Sequence, residues 1–188
     1  NGNATIIGTA AGQDATGHTP TYIGNAAGKS SPAARVTFIG NDAGNAASGD
    51  YAVFIGENAG QNARALRGVG VGYYALKNAS GPDPAGGSQY SMALGNEALY
   101  GTSGEYALGM GFRAGKDSTG DDTVYLGREA GQLSTGDKVV ALGNYAASGN
   151  TGGDSVFLGY GAGKGNTTND VFIVSSTNAA SPLIRGDF

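Results

Sequence analysis

The chain has no cysteine and no tryptophan, and it has one histidine, two methionines and 14 % charged residues. Without cysteine there is no disulfide framework and no thiolate metal site, although the compartment stays open. With His18 as the sole imidazole a histidine-rich metal centre is excluded, and a Ser/His/Asp relay is not expected because it would have to run through His18, which sits in a polar turn and reads as a solvated residue. Formal charge is −4 and there is no basic field to neutralise phosphates, so nucleic acid is not an expected partner. No apolar run approaches the roughly 20 residues of a membrane-spanning helix, so membrane insertion is not expected. Leu, Ile, Val and Phe make up under a fifth of the residues, a level at which disorder has to be considered, but the modest net charge does not fit that class.

What the chain does have is glycine, 36 of 188 residues, placed with a period. An apolar residue followed by glycine recurs at Gly8, Gly24, Gly40, Gly56, Gly72, Gly95, Gly111, Gly127, Gly143 and Gly159. Successive anchors are 16 residues apart, except for a 23-residue step between Gly72 and Gly95. An alanine stands three residues after each anchor, from Ala11 to Ala162, and a glycine usually follows it. An eleventh, degenerate copy carries Phe172, Ile173 and Val174. The unit is too short for a helical-pair repeat, and its one apolar run of about four residues suits a single turn of a parallel β-solenoid. Like positions then stack at roughly 4.8 Å, so eleven coils make a rod on the order of 50 Å long. The expected fold is all-β: a parallel β-solenoid over 1–175 with a loop insertion near 82–88, followed by a capping or exit segment over 176–188.

Within each coil, the residue before the anchor glycine and the one two positions earlier share a strand face and are rich in β-branched types, as in Val53 and Ile55. They are expected to point inward. The residue between them then points outward, yet it is apolar in most coils: Tyr22, Phe38, Phe54, Tyr125, Phe157 and Ile173. A strand apolar on both faces is buried on both. These six residues are therefore expected to form an interface between copies of the chain.

Val53-Phe-Ile-Gly-Glu-Asn-Ala-Gly60 and Val156-Phe-Leu-Gly-Tyr-Gly-Ala-Gly163 resemble the "VAIG-x-x-A" coils of trimeric autotransporter adhesin heads (YadA-like). They are still more similar to the "VFIG-x-x-AG" repeats of phage tail fibres. Ser181-Pro-Leu-Ile-Arg-Gly-Asp-Phe188 resembles the "SPLIYGDF" segment that precedes endosialidase-type intramolecular chaperones. The resemblance implies a trimer of left-handed β-rolls in a virion tail fibre or on a cell surface, engaged in attachment to a receptor or surface glycan. It departs from adhesin heads in its longer period, and no chaperone sequence follows, as in a truncated piece or a mature, cleaved product. The start at Asn1, inside the pattern, leads to the expectation of a piece of something longer.

Little in the sequence points to catalysis, a metal or a cofactor. Glycan hydrolysis, the alternative activity of a tailspike-type domain, needs two carboxylates about 5 to 9.5 Å apart. Glu97 and Glu129 occupy one coil position two turns apart, but Arg113 stands between them and suggests a charge-compensated row. Asp50, Glu105, Asp121 and Asp137 share another position and are expected to accept backbone N–H bonds in a turn rather than to hold calcium. Arg185-Gly186-Asp187 spells an integrin tripeptide inside the terminal segment, where coincidence is the simpler reading. The insertion, with Asp83 in it and Tyr73, Tyr74 and Tyr90 flanking it, is the candidate ligand-binding loop, its aromatics suited to sugar stacking; the alternative is a neutral insertion in a tolerant corner. Ice binding would need an exposed row of threonines. Thr5, Thr21 and Thr37 give three rungs, at a position expected to face inward.

Overall fold

The computed structural model describes residues 3–64, 67–80, 90–176 and 182–187. It is a single twelve-stranded sheet whose spatial order follows the chain order. The strands are β1 (Thr5–Ile7), β2 (Thr21–Ile23), β3 (Thr37–Ile39), β4 (Val53–Ile55), β5 (Val69–Val71), β6 (Met92–Leu94), β7 (Leu108–Met110), β8 (Val124–Leu126), β9 (Val139–Leu142), β10 (Ser155–Leu158), β11 (Val171–Val174) and β12 (Ile184–Asp187). The described residues contain no helix. Strands β1 to β11 are parallel, and each residue pairs with the one a full period later, Thr37 with Val53 and Val53 with Val69. The long step leaves the register intact, since Val69 pairs with Met92 and Val71 with Leu94. The expected parallel β-solenoid, one strand per coil, is the fold. β12 turns back antiparallel along β11 and covers the edge of the last coil.

The orientation of the strands is the reverse of the expected one. From β2 to β11 the residue between the flanking pair, not the pair itself, lines the interior: Tyr22, Phe38, Phe54, Ala93, Tyr125, Ala141 and Phe157 are fully buried, and Ile173 is 6 % exposed. The six residues expected to join copies of the chain are thus sealed inside their own coil. Tyr22 and Phe38 stack at 5.5 Å and Phe38 and Phe54 at 5.1 Å, one ring per coil. Burial raises the Tyr22 and Tyr125 phenols above their ordinary pKa, as an inward position requires. Each of the buried phenylalanines, Phe38, Phe54 and Phe157, contributes on the order of 1.5–3 kcal/mol through burial. The alanine after each anchor, from Ala27 to Ala162, is buried opposite the strand and keeps the cross-section thin.

The interior is filled by a size rule. Where the strand's middle residue is aromatic, the residue six positions later is glycine, because a methyl there would have no room. A Cβ on Gly44 would lie 2.2 Å from Phe38, one on Gly60 2.1 Å from Phe54, and one on Gly131 2.1 Å from Tyr125. Where the strand offers Gly70 or Ala93 instead, the partner position carries Leu76 or Leu99, both fully buried. In the next coil both positions are glycine, Gly109 and Gly115, and Leu99 from the coil before fills the space beside them.

The anchor glycines answer a different need. Gly40 has φ +136, and a Cβ there would meet the carbonyl oxygen of Gly56 at 2.4 Å. Successive coils touch backbone to backbone at this corner. The other corners hold non-glycine residues in the left-handed region, among them Asp42 (φ 54), Asn62 (φ 56) and Leu133 (φ 58). Hydrogen bonds from coil to coil keep them there, as in Asp42 N–H to Asn25 O at 2.9 Å and Asn62 N–H to Asn45 O at 2.9 Å.

Candidate functional site

With the aromatic residues inside, the outer face of the sheet belongs to the flanking positions. Its rungs are Thr21 and Ile23, Thr37 and Ile39, Val53 and Ile55, Val69 and Val71, Met92 and Leu94, Leu108 and Met110, Val124 and Leu126, Val140 and Leu142, Val156 and Leu158, and Phe172 and Val174. All of these are half-buried or exposed; Ile55 is 38 %, Met92 42 % and Met110 40 % exposed. Position and partner argument thus part company. An apolar stripe does run from β2 to β11, one side chain wide at Ile23 and Ile39 and two wide from Val53 and Ile55 onward, but it is made by the residues expected inside. Thr5, Thr21 and Thr37 also lie on this outer face, and from Val53 onward the row turns aliphatic, so the threonine file stops after three rungs.

Each edge of the face carries a polar file. On the edge before the strands, Asp50 Oδ1 accepts the N–H of Ala34 at 2.7 Å, Asp121 Oδ1 that of Glu105 at 2.8 Å, and Asp137 Oδ1 that of Asp121 at 2.9 Å. These carboxylates tie one coil to the one before it, in the backbone-accepting role expected of them. Among the described residues, no group of three or more His, Cys, Asp or Glu side chains is placed to hold a metal ion. His18 is exposed in its turn.

On the edge after the strands, Glu97 receives Arg113 Nε at 3.1 Å and Lys116 Nζ at 2.5 Å. The hydrogen bond from Lys116 is the main cause that holds its carboxyl below the usual range; partial burial pulls the other way and Arg113 reinforces Lys116. A catalytic acid requires the opposite shift. Because the folded-state pKa is depressed, this contribution is complete above the ordinary glutamate value of about 4.3 and is lost as pH falls through the lowered one. Glu97→Gln is therefore expected to cost about 1–2 kcal/mol near neutral pH, and less at an acid pH below the lowered value. Denaturant midpoints measured at the two pH values check this.

The tyrosines expected to gather round the insertion are divided between the two edges. Tyr73 and Tyr74 pack together at 3.9 Å on the edge after the strands, with Tyr100 6.1 Å from Tyr74 and Lys77 over the Tyr74 ring at 4.2 Å. The hydrogen bond with Tyr74 is the first cause pushing the Tyr73 phenol up to about 12. Tyr90 lies on the opposite edge, stacked on Tyr106 at 5.3 Å. Asp83 and the rest of the insertion lie outside the described residues.

A cleft at the N-terminal end is lined by Ile6, Ala15, Pro20 and Tyr22 among others, and one near the C-terminal end by Leu158, Tyr160, Val174 and Leu183 among others; neither is lined by a carboxylate. Arg185, Gly186 and Asp187 are part of β12, paired in extended conformation with Ile173, Phe172 and Val171. No helix among the described residues is long and apolar enough to cross a membrane. Comparison with known proteins finds no matching family model, no matching curated protein and no matching solved structure.

Proposed function

We propose that this chain is a non-catalytic, rigid segment of an extracellular or virion fibre, assembled from several copies of itself, and that it supports attachment to a host or surface glycan. The observation that carries this reading is the apolar outer face, which continues through every coil from β2 to β11. Soluble monomers rarely expose more than a few hundred Å² of contiguous apolar surface. A second copy supplies the same kind of face at the same spacing, which few other partners do. The number three comes from the resemblance to adhesin heads and tail fibres, as do the virion or cell-surface setting and the attachment role.

The carbohydrate-cleaving alternative is less well supported, because Glu97 is committed to two cations and the two clefts described above lack a carboxylate pair. Light scattering tests the assembly. The chain is expected at the mass of three copies, and the double variant Ile55→Lys with Val71→Lys is expected at the mass of one, with an unchanged β-sheet circular dichroism spectrum. A parent chain that runs as a monomer would remove the reading.

A further inference from the structure

On the edge before the strands, one coil position carries, in consecutive rungs, Arg35, Tyr51, Arg67, Tyr90 and Tyr106. All five have left-handed backbones within a few degrees of one another, φ 53 to 58, so their side chains leave the corner in one file. The file is a continuous stack. Arg35 lies over the Tyr51 ring at 5.3 Å, Arg67 lies between Tyr51 at 5.6 Å and Tyr90 at 5.1 Å, and Tyr90 lies parallel to Tyr106. Arg35 Nη1 donates to the Tyr51 hydroxyl at 3.0 Å, and Arg67 Nη1 donates to the Tyr90 hydroxyl. All five residues are exposed.

The stack orders each guanidinium plane and takes a donor at Nη1 only, and a guanidinium has five N–H donors to offer. Planar N–H donors in a fixed fork match a carboxylate bidentately, and a pre-ordered side chain loses little entropy on binding. Neither arginine forms an ion pair with a carboxylate among the described residues. Asp50, beside Tyr51 in the chain, has Oδ1 turned to the Ala34 N–H. Two cations are thus fixed and un-neutralised on a chain that is acidic overall. Arg35 and Arg67 are two coils apart, roughly 10 Å along the axis. A polysaccharide with a carboxylate on every second sugar repeats over close to that length, and it is an extended chain that can lie along a straight file. Tyr51 between the two cations, and Tyr90 and Tyr106 beyond Arg67, offer their hydroxyls to sugar hydroxyls.

We propose that this Arg–Tyr ladder binds an acidic polysaccharide, one carboxylate to each guanidinium. The proposal deepens the attachment role proposed above and rests on it, but the ladder lies within one chain and its binding does not depend on how many copies assemble.

The test is calorimetric titration of the full chain with three probes of matched length: oligosaccharides of alternating uronic acid and amino sugar, neutral dextran, and poly-glutamate. The acidic saccharide is expected to bind at least tenfold more tightly than either of the others, and to weaken as salt is raised. Arg35→Gln with Arg67→Gln is expected to lose at least tenfold in affinity, and Arg35→Lys with Arg67→Lys, which keeps the charge but not the fork, to lose a substantial part of it. Lys29→Gln, on another corner, is expected to change nothing. Melting curves for each variant show whether it is folded. Equal binding of dextran, equal binding of poly-glutamate, absence of binding, or full affinity in the folded double glutamine variant would each overturn the proposal. An oligomer that fails to bind the acidic saccharide would leave the rod standing and remove the ladder.

Discussion

Phe54→Gly is expected to cost about 4 kcal/mol, and adding Gly60→Leu to the same chain is expected to return most of that loss. Alone, Gly60→Leu is also expected to be damaging, because its Cβ would lie 2.1 Å from the Phe54 ring. Together the two changes recreate the pair that the following coil already uses, Gly70 with Leu76. Leu76 has φ 55 and Leu99 has φ 49, so leucine is accommodated at this position in the left-handed region. The double variant keeps a residual penalty of about 1 kcal/mol for a leucine in that region. The two single changes are thus coupled with a sign opposite to simple addition, by several kcal/mol, and thermal unfolding of the four chains in the cycle measures it. Independent, additive losses would mean that the two positions do not share one space inside the coil.

That coupling is also the signal by which the face assignment could have been made from the sequence. The 16-residue spacing of Gly8 to Gly72 and Gly95 to Gly159 fixed the period and the stacking of like positions, and from them the parallel solenoid follows. The step from stacking to inside and outside failed because a strand apolar on both faces gives no parity signal. Branched aliphatic residues such as Val53 and Ile55 suit an exposed sheet face as well as a buried one. The size relation was there to be read. Tyr22, Phe38, Phe54, Tyr125 and Phe157 are each followed six residues later by Gly28, Gly44, Gly60, Gly131 and Gly163, whereas Gly70 and Ala93 are followed by Leu76 and Leu99. Residues that trade volume in this way share a closed space. Val53 and Ile55 show no such exchange with any other position.

The functional surface was legible only in part, for a related reason. Asp121 and Asp137 carried their role openly, since a carboxylate repeated at one turn position has the neighbouring coil's N–H within reach. Tyr73, Tyr74 and Tyr90 did not. They are neighbours around one insertion in the sequence, but the coil leads the chain from one edge of the sheet to the other between Tyr74 and Tyr90. Proximity in a solenoid follows the coil position and not the distance along the chain. Read by position, Arg35, Tyr51, Arg67, Tyr90 and Tyr106 fall into a single file although 71 residues separate the first from the last.

The same logic makes two alanine substitutions six residues apart differ sharply. Gly149 has φ +68 and nothing within 4 Å of an added Cβ. Ala46 and Leu133 occupy the same coil position in other coils, with φ 55 and 58. Gly149→Ala is therefore expected to change stability by no more than about 1 kcal/mol, the left-handed penalty being offset in part by a less flexible unfolded chain. Gly143 has φ +134, and its added Cβ would lie 2.5 Å from the Gly159 carbonyl oxygen. No side chain is available to yield there, because both partners are backbone. Gly143→Ala has to separate two coils at their closest approach and with them the bond from Gly159 N–H to Leu142 O, 2.7 Å in the intact rod. A cost above about 4 kcal/mol is expected. Since each coil touches only its neighbours, that breach also divides the stack, with β10 to β12 on one side and β1 to β9 on the other. Hydrogen exchange is the decisive measurement: in Gly143→Ala the amides of Gly159 and Ser175 are expected to lose protection while those of Gly40 and Gly56 keep it. Uniform loss along the whole chain would show that the rod unfolds as one unit and that its coils are not coupled only to their neighbours.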